Sequence, residues 1–186
     1  MNDQKKIIPN IKFSENYGWM GPIELDIWKY YRIIGSKSLF DTPQVTVGGD
    51  NILLDTLEIT QEYINAYYYT VQNQKVMHEN IMNSLMKKYE KLKPLYGYEG
   101  KEADEFMPDV KDMNQFKNLI QLDLVHLLNV FKDNIAYVGY EFKCKWDPDH
   151  GLGFMTHMDR VFKCNIGDYA FTTWVAEEDL EKSMEK

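Results

Sequence analysis

Apolar and polar residues alternate at both ends of this chain and follow a helical period in the middle. Ile11 and Phe13 alternate with Lys12 and Ser14, then Ile23, Leu25 and Ile27 alternate with Glu24, Asp26 and Trp28. Gly18 and Gly21-Pro22 interrupt the two runs, so the pattern predicts a β-hairpin. Val45 and Val47 face Ile52 and Leu54 across Gly48-Gly49-Asp50-Asn51, which predicts a second hairpin. Together these hairpins span residues 11–54.

From residue 60 to residue 93 the period changes. Ile64, Tyr67, Tyr68, Val71, His78, Ile81, Met82, Leu85, Met86 and Tyr89 recur at helical spacing. Thr60 is placed to cap the first turn, with Ile59 and Ile64 as a hydrophobic staple. The apolar stripe fades over Gln72-Asn73-Gln74-Lys75. One unbroken helix to Leu92 would be roughly 50 Å long at 1.5 Å per residue, so a break at the polar gap is expected. Pro94 and Gly97 should end the segment. Residues 98–112 gather Glu99, Glu102, Asp104, Glu105, Asp109 and Asp112 around Pro108 and predict an exposed acidic loop, with a short helical turn at 114–118.

The last third predicts antiparallel strands over 119–166. Ile120, Leu122 and Leu124 alternate with Gln121 and Asp123. From Ile135 to Trp146, one face carries Ala136, Val138, Tyr140, Phe142, Cys144 and Trp146. The other carries Ile135, Tyr137, Gly139, Glu141, Lys143 and Lys145, as a strand with one buried and one wet face would. Asp147 to Gly151 has turn composition, and strands 152–157 and 160–165 follow about Met158-Asp159. Residues 176–186 read as a charged, frayed helical tail, with Glu177, Glu178 and Asp179 near its positive end. The fold class predicted is α+β: an antiparallel sheet packed against one or two central helices, in a single domain over residues 1–186.

Composition narrows the function. The chain has 186 residues, 44% hydrophobic and 27% charged, enough for a sizeable core. Its net charge of −8 disfavours nucleic acid and anionic membranes as partners and favours basic proteins. The first ten residues lack the apolar centre of a secretory signal, and no run approaches the ~18–20 apolar residues of a membrane span, so the expected location is cytoplasmic. Cys144 and Cys164 are the two cysteines, too few for a disulfide framework. Assuming tight turns, Cys144 falls opposite about Phe154 and Cys164 opposite about Gly153, on outer strands with one strand between, so both should be free thiols.

Candidate chemistry concentrates in Trp146-Asp147-Pro148-Asp149-His150-Gly151-Leu152-Gly153. As a calcium loop the spacing fails, because Leu152 stands where glycine and Met158 where glutamate is needed. As a metal or hydrolytic centre it would need His157, yet a seven-residue strand holds His150 and His157 roughly 24 Å apart. His78 and His126 could approach instead, but nothing in their spacing requires it. The remaining readings are a recognition loop that presents His150 and the carboxylates, or a structural turn. In the turn, Asp147 and Asp149 bond local amides, Pro148 sets the bend, Gly151 takes positive φ and Gly153 packs beneath Trp146. No GxSxG, P-loop, GxGxxG or HExxH pattern occurs, and no cofactor or metal is implied.

At this octapeptide the chain resembles a family of uncharacterised bacterial proteins with W-D-x-E/D-H-G-L-G followed by an apolar strand and G-D, here Gly167-Asp168. Asp149 stands where the family usually has Glu. Gly18, Trp19 and Gln61 extend the resemblance more weakly. It implies no established activity and no catalytic residues. Some members of this sort are regarded as immunity proteins that neutralise toxins exchanged between bacteria. The expected function is therefore a non-catalytic protein-binding domain whose motif residues are Trp146, Asp147, Asp149, His150, Gly151 and Gly153. The alternative is an enzyme or metal protein with its site at the Asp147–Gly151 turn. A third reading is a homo-oligomer with the Tyr- and Met-rich helix as interface.

Overall fold

The computed structural model describes residues 7–15, 18–36, 38, 40–51 and 57–185. Among these, seven strands form one sheet in sequential order: β1 (Lys12–Ser14), β2 (Gly18–Pro22), β3 (Gln44–Val47), β4 (Ile120–Lys132), β5 (Ile135–Cys144), β6 (Asp147–His157) and β7 (Arg160–Asn165). All neighbours run antiparallel except β3 and β4. A parallel pair needs a long crossover. Here it contains three helices: α1 (Gln61–Gln72), α2 (Gln74–Tyr96) and α3 (Gly100–Phe106).

The N-terminal third departs from the alternation. The β1–β2 hairpin forms, but its second strand is 18–22, not the run Ile23–Ile27. In that run Ile23 and Leu25 are buried and Glu24 and Asp26 exposed, yet the chain leaves the sheet and enters a 3-10 turn, Asp26–Trp28. Alternation marks burial here, not pairing. The second predicted hairpin does not form around β3, because both of its edges are taken, by β2 and by β4. Ile52 and Leu54 themselves lie outside the described residues, and Gly49–Asn51 is a 3-10 turn.

The helical break is at Asn73, within the polar gap. Its N–H and its side-chain Nδ2 both donate to Tyr69 O at 2.9 Å. Gln74 next to it accepts from Ile27 N at 3.2 Å, so the gap also ties the helices to the N-terminal segment. Thr60 flanks α1 but caps no amide; its hydroxyl donates to Glu62. Pro94 does not end α2, which runs one further turn to Tyr96 and stops at Gly97, φ +65°. The acidic segment 98–112 is not all loop, since α3 lies inside it, and the expected turn at 114–118 is a 3-10 stretch, Met113–Asn118.

One sheet face carries α1 and α2. Tyr63, Tyr67, Met77, Ile81, Met82, Leu85 and Tyr89 from the helices join Val45, Val125, Val138, Tyr140, Phe142 and Phe154 from the strands in the main core. Of the helices' Tyr and Met residues, Tyr63, Tyr67, Met77, Met82 and Tyr89 are buried inside the chain, while Tyr68, Tyr69, Met86 and Tyr96 are half-buried. The opposite face of β5 is not wet as expected. A fourth helix, α4 (Thr173–Met184), and the 3-10 turn Gly167–Ala170 cover part of it, and Leu128, Val130, Tyr137, Met155, Val175 and Ala176 form a second core there. The predicted frayed tail is this packed helix. Asp50 caps its first turn through Thr173, and Asp179 accepts from Tyr137 and Arg160 at 2.9 Å each.

An edge strand offers unpaired backbone groups to other chains. Along β7, α2 covers part of that edge: Lys88 Nζ donates to Cys164 O, and Asn80 Nδ2 donates to Asp159 O at 2.7 Å.

Two buried histidines set a pH response. Burial holds His78 and His157 below the ordinary imidazole value. Their unfolded-state pKa is about 6.5, so the unfolded chain binds more protons as pH falls below that value, and stability drops until the folded-state pKa is passed. His150 has the opposite sign, raised by Asp147, but it is fully exposed and contributes little. Urea midpoints should fall from pH 7.5 to pH 5.5, and His78→Gln should flatten the slope. A midpoint that is constant or rises on acidification would refute the buried, neutral state of these rings.

Candidate functional site

The octapeptide lies where the turn was expected to be, two residues late. Cys144 pairs with Asp147, so the reversal is the two-residue turn Lys145-Trp146, and β6 has already begun at Asp147. The next pair is Phe142 with Leu152, which leaves residues 148–151 bulged out of the ladder. Pro148 cannot donate to the ladder, and Gly151 has φ +65° as the composition predicted. This bulge puts Phe154 opposite Tyr140 rather than Cys144, and a separate irregularity between Met155 and Thr156 in the β6–β7 ladder puts Cys164 opposite Phe154 rather than Gly153. Both thiols are free, on strands separated by β6. Burial raises both, Cys164 to about 11, so neither is a reactive thiolate at neutral pH.

Each motif residue has a structural engagement or a surface position. Trp146 is buried, its ring 5.3 Å from that of Tyr89, and its carbonyl accepts from Tyr98 at 3.1 Å. Asp147 accepts from Tyr96 at 2.9 Å and from His150 N at 3.0 Å, and its Oδ1 lies 3.0 Å from His150 Nδ1. Its carboxylate raises the pKa of His150. Asp149 does not bond a local amide as expected; it is exposed and forms no side-chain hydrogen bond among the described residues. Gly153 packs on the other face from Trp146. A Cβ there would lie 2.6 Å from Ile166 O and 2.7 Å from Gly167 O, and one on Gly167 would lie 2.5 Å from His150 O. The bulge and the Gly167–Ala170 turn therefore close on each other through glycine backbone. Asp149 and His150 are the members that reach solvent. The adjoining cavity, between Trp146, Tyr96 and Lys88, is about 20 Å³, room for about one water.

Gly151→Ala should cost more than about 1 kcal/mol, because its Cβ would combine positive φ with a 2.5 Å approach to Phe142 O. His150→Ala should cost under about 1 kcal/mol, as an exposed side chain. Paired urea titrations check this, and the reverse ranking would make His150 a structural residue.

Buried Thr46 and His126 and half-buried Glu141 stand in a row across β3, β4 and β5. Thr46 Oγ1 and Glu141 Oε2 each lie 2.8 Å from a ring nitrogen of His126. A carboxylate only accepts, so Nε2 carries a proton. The order matches nucleophile, base and carboxylate, but Thr46 is 3% exposed and its hydroxyl is closed to substrate. This row ties three strands together. Among the described residues no group of His, Cys, Asp and Glu could hold a metal ion.

A larger site lies at the same end of the sheet, on the other side of β4 and β5, where Leu122 pairs with Phe142 and Phe142 with Leu152 of the octapeptide; sequence reading placed nothing there. The segment 22–32, residues 40–43 and the start of β4 enclose a cleft of about 410 Å³, within the usual range for ligand sites. Leu25, Trp28, Tyr31 and Leu122 form its apolar floor and Glu24, Lys29, Arg32 and Asp41 its charged rim. Trp28 is fixed by the rings of Phe142 at 4.9 Å and His78 at 4.7 Å, and Tyr31 bonds His78 Nε2 at 2.8 Å. Beside the cleft but not lining it, Tyr30 is 75% exposed and Ile34, two residues beyond the segment, 88%.

A family model described as a domain of unknown function, DUF6985, matches residues 19–171. The chain belongs to the DUF6985 family. The match includes the octapeptide, Gly167-Asp168 and every residue lining the cleft. No curated protein and no solved structure matches the chain. The DUF6985 assignment carries no function, and no helix among the described residues is long and apolar enough to cross a membrane.

Proposed function

We propose that this DUF6985 chain is a non-catalytic protein-binding domain that docks its partner at the cleft between residues 22–32 and 40–43. The observation that carries the reading is one short segment with Tyr30 and Ile34 projecting into solvent, Arg32 between them, and Trp28 and Tyr31 forming the cleft beside them. Exposed apolar residues beside a concave site favour a docking role, and Trp, Tyr and Arg dominate binding hot spots. An immunity protein that blocks a toxin by covering it is one role of this kind, and the net charge of −8 suits a basic toxin.

The test starts from proteins retained by the full chain in a native lysate. Each is then purified and its affinity measured for the wild type and for Tyr30→Ala/Arg32→Ala/Ile34→Ala. All three sites are exposed, so melting should match the wild type while affinity falls about 100-fold. Equal affinity for the triple variant, or no protein retained specifically, would overturn the proposal.

A further inference from the structure

Resting on that reading, we infer that the partner fills the cleft with one large apolar side chain that has a basic residue beside it. The floor is built for an apolar group. Leu25, Trp28, Tyr31 and Leu122 are all nearly inaccessible, and the one hydroxyl among them is already engaged by His78. The aromatic packing behind Trp28 holds its ring in place, so little ordering remains to be done when a side chain enters.

The rim is electrostatically lopsided. Ile23 N donates to Pro43 O at 3.0 Å, which holds the 22–32 segment against residues 40–43, and Glu24 and Asp41 both line the rim. Both are exposed and neither is in an ion pair among the described residues. Of the basic rim residues, Lys29 is held by Asp26 at 2.6 Å, while Arg32 Nε donates to Lys29 O. A guanidinium held at the rim by that bond can stack on an aromatic anchor. Outside an ion pair the rim thus carries two carboxylates, Glu24 and Asp41, against one cation, Arg32, a net negative charge. The field of a chain at −8 has the same sign, so approach and local pairing both favour a cationic neighbour for the anchor.

The probes are three blocked tripeptides, Ac-Lys-Trp-Lys-NH2, Ac-Glu-Trp-Glu-NH2 and Ac-Lys-Ser-Lys-NH2. Each is titrated into the 15N-labelled full chain while the amides of 23–32 and 40–42 are followed. The Lys-Trp-Lys peptide should shift these amides with a Kd about fivefold to tenfold lower than either of the others. Glu24→Lys/Asp41→Lys, both exposed, should reverse the order of the first two. Tighter binding of the acidic peptide, an order unchanged in the double variant, or no shift at the cleft with any peptide would overturn the inference. The proposed function is judged separately, by the affinity of the Tyr30, Arg32 and Ile34 variant for its protein partner.

Discussion

Gly139→Ala should abolish the native state or lower its stability by more than about 4 kcal/mol, a loss confined to a few named mechanisms. Gly139 lies opposite His126 on β4 and Met155 on β6, in the middle of the sheet. It has no positive φ, so alanine would be welcome in the strand on conformational grounds. The obstacle is contact. A Cβ at this position would fall inside the carbonyl of Ala170, backbone against backbone, with no flexible side chain able to yield. Relief would require the Gly167–Ala170 turn to lift. That turn also rests on Gly153 and against His150 O, so the octapeptide bulge would be disturbed with it. Soluble yield and urea denaturation of Gly139→Ala measure the effect. Stability within about 1 kcal/mol of the wild type would mean that the turn does not lie on the sheet.

Gly139 also shows where the sequence stops being legible. Its strand is plain in the alternation from Ala136 to Cys144, and so is the face that joins the helices. The other face, with Tyr137, Gly139, Glu141 and Lys143, reads as wet because polar residues follow Gly139. Tyr137 is nevertheless fully buried, covered by a helix whose Glu177, Glu178 and Asp179 suggest a solvated tail. Charge content hides that Val175 and Ala176 sit in the buried stripe and that Asp179 serves Tyr137 and Arg160. Local signals succeeded where the interaction is local: the polar gap at Asn73, the helix stop at Gly97 and the positive φ of Gly151. They failed where a non-local partner decides. β3 pairs in parallel with β4, about eighty residues away, and no periodicity reports that. Likewise the cleft combines three distant segments, so Trp28 and Arg32 carry no signature, whereas the octapeptide is conspicuous because its turn chemistry is contiguous.

Trp146→Ala is the other large loss expected, about 3–5 kcal/mol by cavity formation. The indole is 1% exposed although it sits in a two-residue turn, a position that ordinarily points to solvent. It is drawn inward because the turn lies over the C-terminal half of α2, where Tyr89 meets it edge-on. Tyr96 and Tyr98, either side of the left-handed Gly97, bond Asp147 and the Trp146 carbonyl and hold the turn down. Alanine would empty the space between Tyr89, Phe116 and the turn while leaving those two hydrogen bonds without the packing that aligns them. Urea denaturation should therefore show a midpoint shift much larger than that of His150→Ala, with any partner affinity of the folded fraction unchanged, since Trp146 packs on Tyr89 and does not line the cleft. A Trp146→Ala protein as stable as the wild type, yet unable to bind a partner, would reverse both conclusions: the octapeptide would be the docking surface, and the cleft beside Trp28 would not.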